Sequence, residues 1–459
     1  MGSYASVANT RKDVSEGVVG PLAFGVAEMQ GWRKTMEDTH IVARVRDPPT
    51  HVPHAAGGAA DAAEDSDDVY VFGVFDGHGG REVAHFCKLH FAETLPTLPS
   101  WRARAFAPLL REAFLAMDEM LLEPRYYAEL GALRGTPPPA PGGASGADRG
   151  RVDALVRNIE SSAIIPIDDT AQRLRAVLAL QKPLGGAGGM ASSPVAGSTD
   201  TAEGAPASAA EAAGGGAGGA LAPAERSRPP PARYDPLGHV QAGCTAIVAC
   251  VHRRTLHVAN AGDSRAVLSR GGETVVLSVD HKPAHPTEYE RITKAGGWVS
   301  DAGRVNGNLN LSRSIGDLRY KRNEALEPDE QVITAAPDVR SIELQADDEF
   351  CVLACDGIWD VKTSEQVVHF VRARLQRADA AVVARAAAPP GADSADGAGV
   401  VGGHGGAGAR APLLSAIAEE LFDECISRNP AETAGIGADN MTCLIVDLRA
   451  HCAPRVGGT

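Results

Sequence analysis

VYVFGVFDGHGG, residues 69–80, is the stretch on which the reading of this chain turns. Val69 to Phe75 run without a charge and are rich in Val, Phe and Tyr. That composition fits a strand buried on both faces. The run stops at Asp76-Gly77-His78-Gly79-Gly80. Aspartate is a poor strand residue and is costly to desolvate without a partner. The same junction recurs along the chain. TLHVANAG (255–262) runs into Asp263-Ser264-Arg265, FCVLAC (350–355) runs into Asp356-Gly357, and Asp439-Asn440 opens MTCLIV (441–446). Near the N-terminus, Arg33-Lys34-Thr35-Met36-Glu37-Asp38 precedes the strand-like THIVARV.

Each Asp taken singly reads first as a turn or cap residue, a reading that weakens when they are taken together. Together they sit at the ends of apolar strands that could converge in one sandwich. Converging carboxylates repel unless they are protonated or bridged by cations. Hard divalent cations with oxygen ligands, Mg²⁺ or Mn²⁺, answer that need. A pair of them about 3.5–4 Å apart would activate water and polarise a phosphoryl oxygen. His78 is then either structural or a proton donor beside the cations. Arg33 is either a surface partner of Glu37 at i+4 or a bidentate phosphate ligand.

Further strands are expected at 22–30, 39–45, 244–252, 255–261, 265–269, 274–279, 349–355 and 441–447. Helical spacing marks 80–94, 105–122, 286–295, 364–377 and 412–428. Short turns such as HRRT (252–255) and AGDSR (261–265) imply antiparallel neighbours. The expected class is α+β, antiparallel sheets with helices packed outside. Three stretches break the globular composition, at about 47–68, 130–236 and 380–411. They are dominated by Ala, Gly, Pro, Ser and Asp, apart from an island of helical spacing at 151–181. They read as insertions in a single domain spanning 22–449, with a segment at 1–21 before it and a tail at 450–459.

The bulk composition excludes several classes. Of 459 residues, 58 are acidic and 44 basic, giving a net charge of −14 and no basic stripe for nucleic acid. No apolar run is long enough for a transmembrane helix. The N-terminus lacks a secretory pattern, so an intracellular protein, in cytoplasm or nucleus, is expected. The eight cysteines form no C-x-x-C pair and sit mostly in apolar runs, as buried reduced thiols do. The glycine-rich tracts are not followed by Gly-Lys-Ser/Thr, so no P-loop is expected.

In the junction residues the chain resembles the PP2C-type family of metal-dependent serine/threonine protein phosphatases. The matching blocks are MQGWRKTMEDTH (29–40), VFGVFDGHGG (71–80), AGCTAIV (242–248), ANAGDSRAVL (259–268), LSVDHKP (277–283), ERITKAGGWV (290–299), GRVNGNLNLSRSIGD (303–317), CVLACDGIWDV (351–361) and ADNMT (438–442). They occur in the family's order. The resemblance implies a central antiparallel β-sandwich flanked on both faces by helix pairs. It implies hydrolysis of phosphoserine and phosphothreonine by a water that bridges two Mg²⁺ or Mn²⁺ ions, without a phosphoenzyme. Carried over by residue, Asp76 bridges both cations, and Asp356 and Asp439 complete one of them. The Gly77 carbonyl binds the other cation. Glu37 and Asp38 anchor the bound waters, and Asp263 is linked to a weaker third cation. Arg33 holds the substrate phosphate and His78 protonates the leaving oxygen. The stretch from His281 to Ser314 corresponds to a flap beside the site.

The alternative reading is a regulatory protein that keeps this fold and docks partners through its insertions. A small-molecule phosphoesterase is a third. The intact Asp76, Asp356, Asp439, Arg33 and His78 favour the enzyme acting on phosphorylated proteins. Met1-Gly2-Ser3-Tyr4-Ala5-Ser6 fits the N-myristoylation pattern at Gly2. One acyl chain gives only marginal binding, so reversible peripheral membrane contact is the expectation. A monomer is expected.

Overall fold

The computed structural model describes residues 4–47, 67–135, 240–387 and 411–453. Gly2, the island at 151–181 and the bulk of the three insertions lie outside these residues. The strands in chain order are β1 (Asn9–Val19), β2 (Leu22–Gly31), β3 (Thr39–Val45), β4 (Val69–His78), β5 (Gly243–His252), β6 (Thr255–Ala261), β7 (Arg265–Arg270), β8 (Glu273–Val276), β9 (Ile315–Gly316), β10 (Asp338–Glu343), β11 (Asp348–Ala354) and β12 (Met441–Asp447). The α-helices are α1 (Glu82–Thr94), α2 (Pro99–Arg102), α3 (Phe106–Leu121), α4 (Tyr127–Arg134), α5 (Pro286–Lys294), α6 (Asp356–Trp359), α7 (Ser364–Ala387), α8 (Ala411–Cys425) and α9 (Arg449–Cys452).

Successive side chains of a strand point to opposite faces. In β4 this sends Val69, Val71 and Phe75 into a core shared with α1 and α3, through Phe86, Phe91 and Phe114. Tyr70, Phe72 and Val74 enter a second core with Phe24, Val26, Ile247, Leu353 and Leu444 from other strands. The apolar run is continuous because both faces are covered. β12 behaves alike on the other sheet: Met441, Cys443 and Ile445 meet α7 and α8, and Leu444 and Val446 face inward. Four layers result, helix on sheet on sheet on helix. One sheet runs β1-β2-β12-β11-β7-β8. The other runs β10-β6-β5-β4-β3, with β9 paired on β5. Every ladder among these strands is antiparallel. All eight cysteines are buried and unbridged, and no described helix is long and apolar enough to cross a membrane.

Three boundaries differ from the sequence reading. β1 falls within residues set apart as an N-terminal segment, yet it pairs with β2 from Asn9 opposite Gly31 to Val19 opposite Leu22. The sheet therefore begins at Asn9. β10 was not expected either. Both are edge strands, mostly exposed, and their sequences carry no apolar run. Helix α7 continues to Ala387, into the stretch assigned to the third insertion.

The strand ends define two ends of the sandwich. At one, the chain stubs flanking the first insertion are clasped. Trp101 Nε1 donates to Asp47 at 2.6 Å, and Arg104 Nε donates to Asp67 at 2.9 Å. His252 Nε2 also lies 2.9 Å from Asp67. The junction aspartates gather at the opposite end.

Candidate active site

β4, β6 and β11 all finish at this end, and β12 starts there, so four strand-end loops meet. One carboxylate oxygen from each of Asp76, Asp263 and Asp356 lies within 4.8 Å of the others. Asp76 and Asp356 are partly exposed, and Asp263 is buried. Burial, reinforced by the neighbouring carboxylates, pushes both Asp76 and Asp356 well above the usual carboxylate range. Burial and then Asp439 lift Asp38 to about 7. Asp38 Oδ2 accepts from Thr442 Oγ1 at 3.0 Å, while its Oδ1 is buried with no hydrogen-bond partner among the described residues. Asp263 Oδ1 is orphaned in the same way, and its Oδ2 is bonded to Lys282. Crowded carboxylates with unpartnered buried oxygens are a donor set suited to hard divalent cations.

The loop between β2 and β3 is drawn onto this cluster. Asn440 accepts from Glu37 N at 3.0 Å and donates to the carbonyls of Gln30 and Thr35 at 2.7 and 3.0 Å. Glu37 accepts from Gly80 N at 3.1 Å and from Thr35 Oγ1 at 2.7 Å. Gly77 packs so closely on this loop that an added Cβ would stand 2.3 Å from the Glu37 carbonyl oxygen.

Two expected residues sit differently from the sequence reading. Asp439, ranked there with Asp76 and Asp356, does not join the three converging carboxylates. Its Oδ2 accepts from Arg33 Nη2, and its Oδ1 accepts from Asn440 N at 2.8 Å. Asp263, given there only a conditional role, does join them. Arg33 therefore pairs with Asp439 and not with Glu37 at i+4. Its side chain stays 52% exposed, which leaves most of its donor fork open to a ligand.

His78 Nε2 lies 2.6 Å from Asp317 Oδ2. Burial alone would lower the His78 pKa, but Asp317 outweighs it and raises it. Asp317, correspondingly, is lowered by His78 against its own burial. Asp317, Lys282 and Asn440 were not singled out from the sequence. Asp317 and Lys282 lie inside quoted blocks, but neither stands at the end of an apolar run.

The Protein phosphatase 2C family matches residues 22–131 and 225–395. The chain is a protein phosphatase 2C family member. Probable protein phosphatase 2C 4 of Paramecium tetraurelia is 32% identical over 449 residues, covering 98% of this chain and 99% of that protein. Probable protein phosphatase 2C 58 of Oryza sativa subsp. japonica is 32% identical over 450 residues, covering 98% of this chain and 90% of the relative. The crystal structure of a phosphatase from a pathogenic strain of Toxoplasma gondii superposes with a TM-score of 0.50 at 19% identity, over 95% of each chain. That likeness bears on the protein phosphatase 2C fold alone.

In this family member the stretch from His281 to Ser314 is held by a buried ionic knot. Glu288 accepts from Arg313 Nη2 at 2.7 Å, Arg291 Nη1 at 3.0 Å and Ser312 Oγ at 2.7 Å. Burial pushes the Glu288 pKa up, but the two arginines and Ser312 win and hold it down at about 2, from an ordinary 4.5. A lowered carboxylate stabilises above its unfolded pKa and loses that contribution as pH falls through its folded one. The knot should therefore be intact above pH 4.5 and weaken between 4.5 and about 2. Glu288→Gln is expected to cost roughly 3 kcal/mol at pH 7 and to flatten the acid limb of the stability curve. Urea unfolding at stepped pH checks this, and an unchanged acid limb would count against the knot.

Proposed function

We propose that this protein is a metal-dependent serine/threonine protein phosphatase, and the observation that carries the reading is the convergence of Asp76, Asp263 and Asp356. Asp76, Asp356, Asp439, the Gly77 carbonyl and Asp263 would hold Mg²⁺ or Mn²⁺, with Glu37 and Asp38 behind them. Cations bound there would supply Lewis acidity to the phosphoryl group and to an attacking water. The chain's own groups do the rest. Arg33, half-exposed at the rim, offers a planar fork of N–H donors to two phosphoryl oxygens. The flap beside the site borders the space for a protein substrate. His78 lies on the strand end that carries Asp76 and donates a proton to the departing serine or threonine oxygen. Family membership and phosphatase relatives matching nearly the full chain support this reading over a docking protein.

The test is phosphate release from a phosphothreonine peptide, with and without Mn²⁺ or Mg²⁺. Release that needs neither cation, or no release at all, would sink the proposal. His78→Gln should slow esters with poor leaving groups by roughly 10²-fold and activated aryl esters far less, since general-acid help matters most where the leaving oxygen is basic. Equal losses on both ester types would rule out a proton donor.

A further inference from the structure

The geometry points to Asp317 as the positioning residue that fixes the His78 ring and selects Nδ1 as the nitrogen facing the leaving oxygen, an assignment that rests on the reading of His78 above. Asp317 Oδ2 is 2.6 Å from His78 Nε2 and accepts from Ser314 Oγ at 2.7 Å. The residue is 1% exposed. Its backbone is left-handed, with φ +49°, a conformation a non-glycine residue keeps only where its surroundings enforce it.

Those surroundings come from several elements. Asp317 N donates to the Ala242 carbonyl at 3.1 Å, and Gly316 N donates to Asp118 of α3 at 2.7 Å. Lys321 bonds Asp118 and also donates to the Ser314 carbonyl at 2.8 Å. Gly243 lies opposite both His78 and Gly316 in their ladders. A Cβ on Gly243 would stand 2.4 Å from Asp317 Oδ2 and 2.7 Å from His78 Nε2, so only glycine admits the contact. Strands β4, β5 and β9 and helix α3 therefore converge on one hydrogen bond.

With Nε2 committed to Asp317, Nδ1 is the free nitrogen, without a hydrogen-bond partner among the described residues. In the reaction, water adds its oxygen to phosphorus as the bond to the ester oxygen breaks. The ester oxygen takes the proton from Nδ1 and leaves as the alcohol. The attacking water gives up a proton to solvent, and solvent returns one to the ring.

The test is a double-mutant cycle of wild type, Asp317→Asn, His78→Gln and the double variant, on phenyl phosphate and p-nitrophenyl phosphate with Mn²⁺. Asparagine matches aspartate in shape and tolerates the left-handed backbone, so the variant folds. Asp317→Asn is expected to lower kcat on phenyl phosphate by roughly 10- to 100-fold, with a smaller loss on p-nitrophenyl phosphate and KM within about twofold. In the His78→Gln background the same change should cost less than about threefold, because the two residues act as a unit. Ser314→Ala, which removes only the second hydrogen bond to Asp317, should move kcat in the same direction by less. Additive losses would overturn the assignment, as would equal losses on both esters while His78→Gln still discriminates them. A wild type inert on both esters would overturn the phosphatase reading and this one with it. Discrimination unchanged in His78→Gln would remove the proton donor instead.

Discussion

Asp76→Asn is expected to raise the unfolding midpoint of the cation-free protein, to remove most of the gain that Mn²⁺ confers, and to cut phosphopeptide turnover roughly 10³-fold, the several kcal/mol that charge stabilisation by cations supplies. The Asp76, Asp263 and Asp356 oxygens lie within 4.8 Å of one another. At an effective dielectric of about 20, two unit charges that close repel by roughly 3 kcal/mol. Asparagine keeps the shape and removes one charge from two such pairs. Proton uptake by the crowded carboxylates, whose affinity for protons is raised, already relieves most of that repulsion. Midpoints shift by no more than roughly 2–4 °C per kcal/mol in a chain this long, so a rise of a few degrees is the expected reading. In the wild type, cation binding to the native state alone adds stability by mass action, about 2.7 kcal/mol at a hundredfold excess over Kd. Differential scanning fluorimetry over a Mn²⁺ series gives both numbers. A variant that melts lower than wild type without Mn²⁺, and gains as much from it, would contradict the assignment of Asp76.

Phe72→Ala is expected to destabilise the fold by about 3–5 kcal/mol. Phe72 is fully buried between the sheets, its ring centroid 6.5 Å from that of Phe24 across the sandwich. Both sheets are fixed by their own ladders and by helices outside, so neither can collapse to fill the space. Urea unfolding should show the loss in midpoint with little change in slope. A loss under about 1 kcal/mol would mean that the inner layer repacks freely.

Much of this fold was legible because its central strands are covered on both faces. β4, β5, β11 and β12 read as unbroken apolar runs for that reason, and their turns announced antiparallel pairing. The edge strands β1 and β10 were hidden because solvent takes the place of one neighbour and polar residues serve them equally well. The site divides along the same line. Asp76, Asp263, Asp356 and Asp439 were found because each interrupts or borders an apolar strand. Their convergence was expected as well, but not which three crowd closest, since Asp439 carried more weight than Asp263 and nothing in the sequence showed that Arg33 occupies it. Asp317 was out of reach. It follows a two-residue strand, β9, and meets His78 across 239 positions of sequence. Only the assembled ladders of β4, β5 and β9 bring the two together.

The two ends of the sandwich also decide where the chain can be modified from outside. β3 ends at Val45 opposite Val69, so residues 46–68 join the strands at the end away from Asp76. Seven residues of strand at about 3.3 Å each put that junction roughly 23 Å from the carboxylates. The long segment between α4 and β5 departs and returns at the other end. Arg134 is bonded to Glu82 at the start of α1, and Gly243 faces His78. A fluorophore, affinity handle or inserted reporter domain spliced between Asp47 and Asp67 should thus be silent in an assay. The same graft between Gly135 and Val240 would be anchored at residues next to His78, and its effect on turnover is the one to measure.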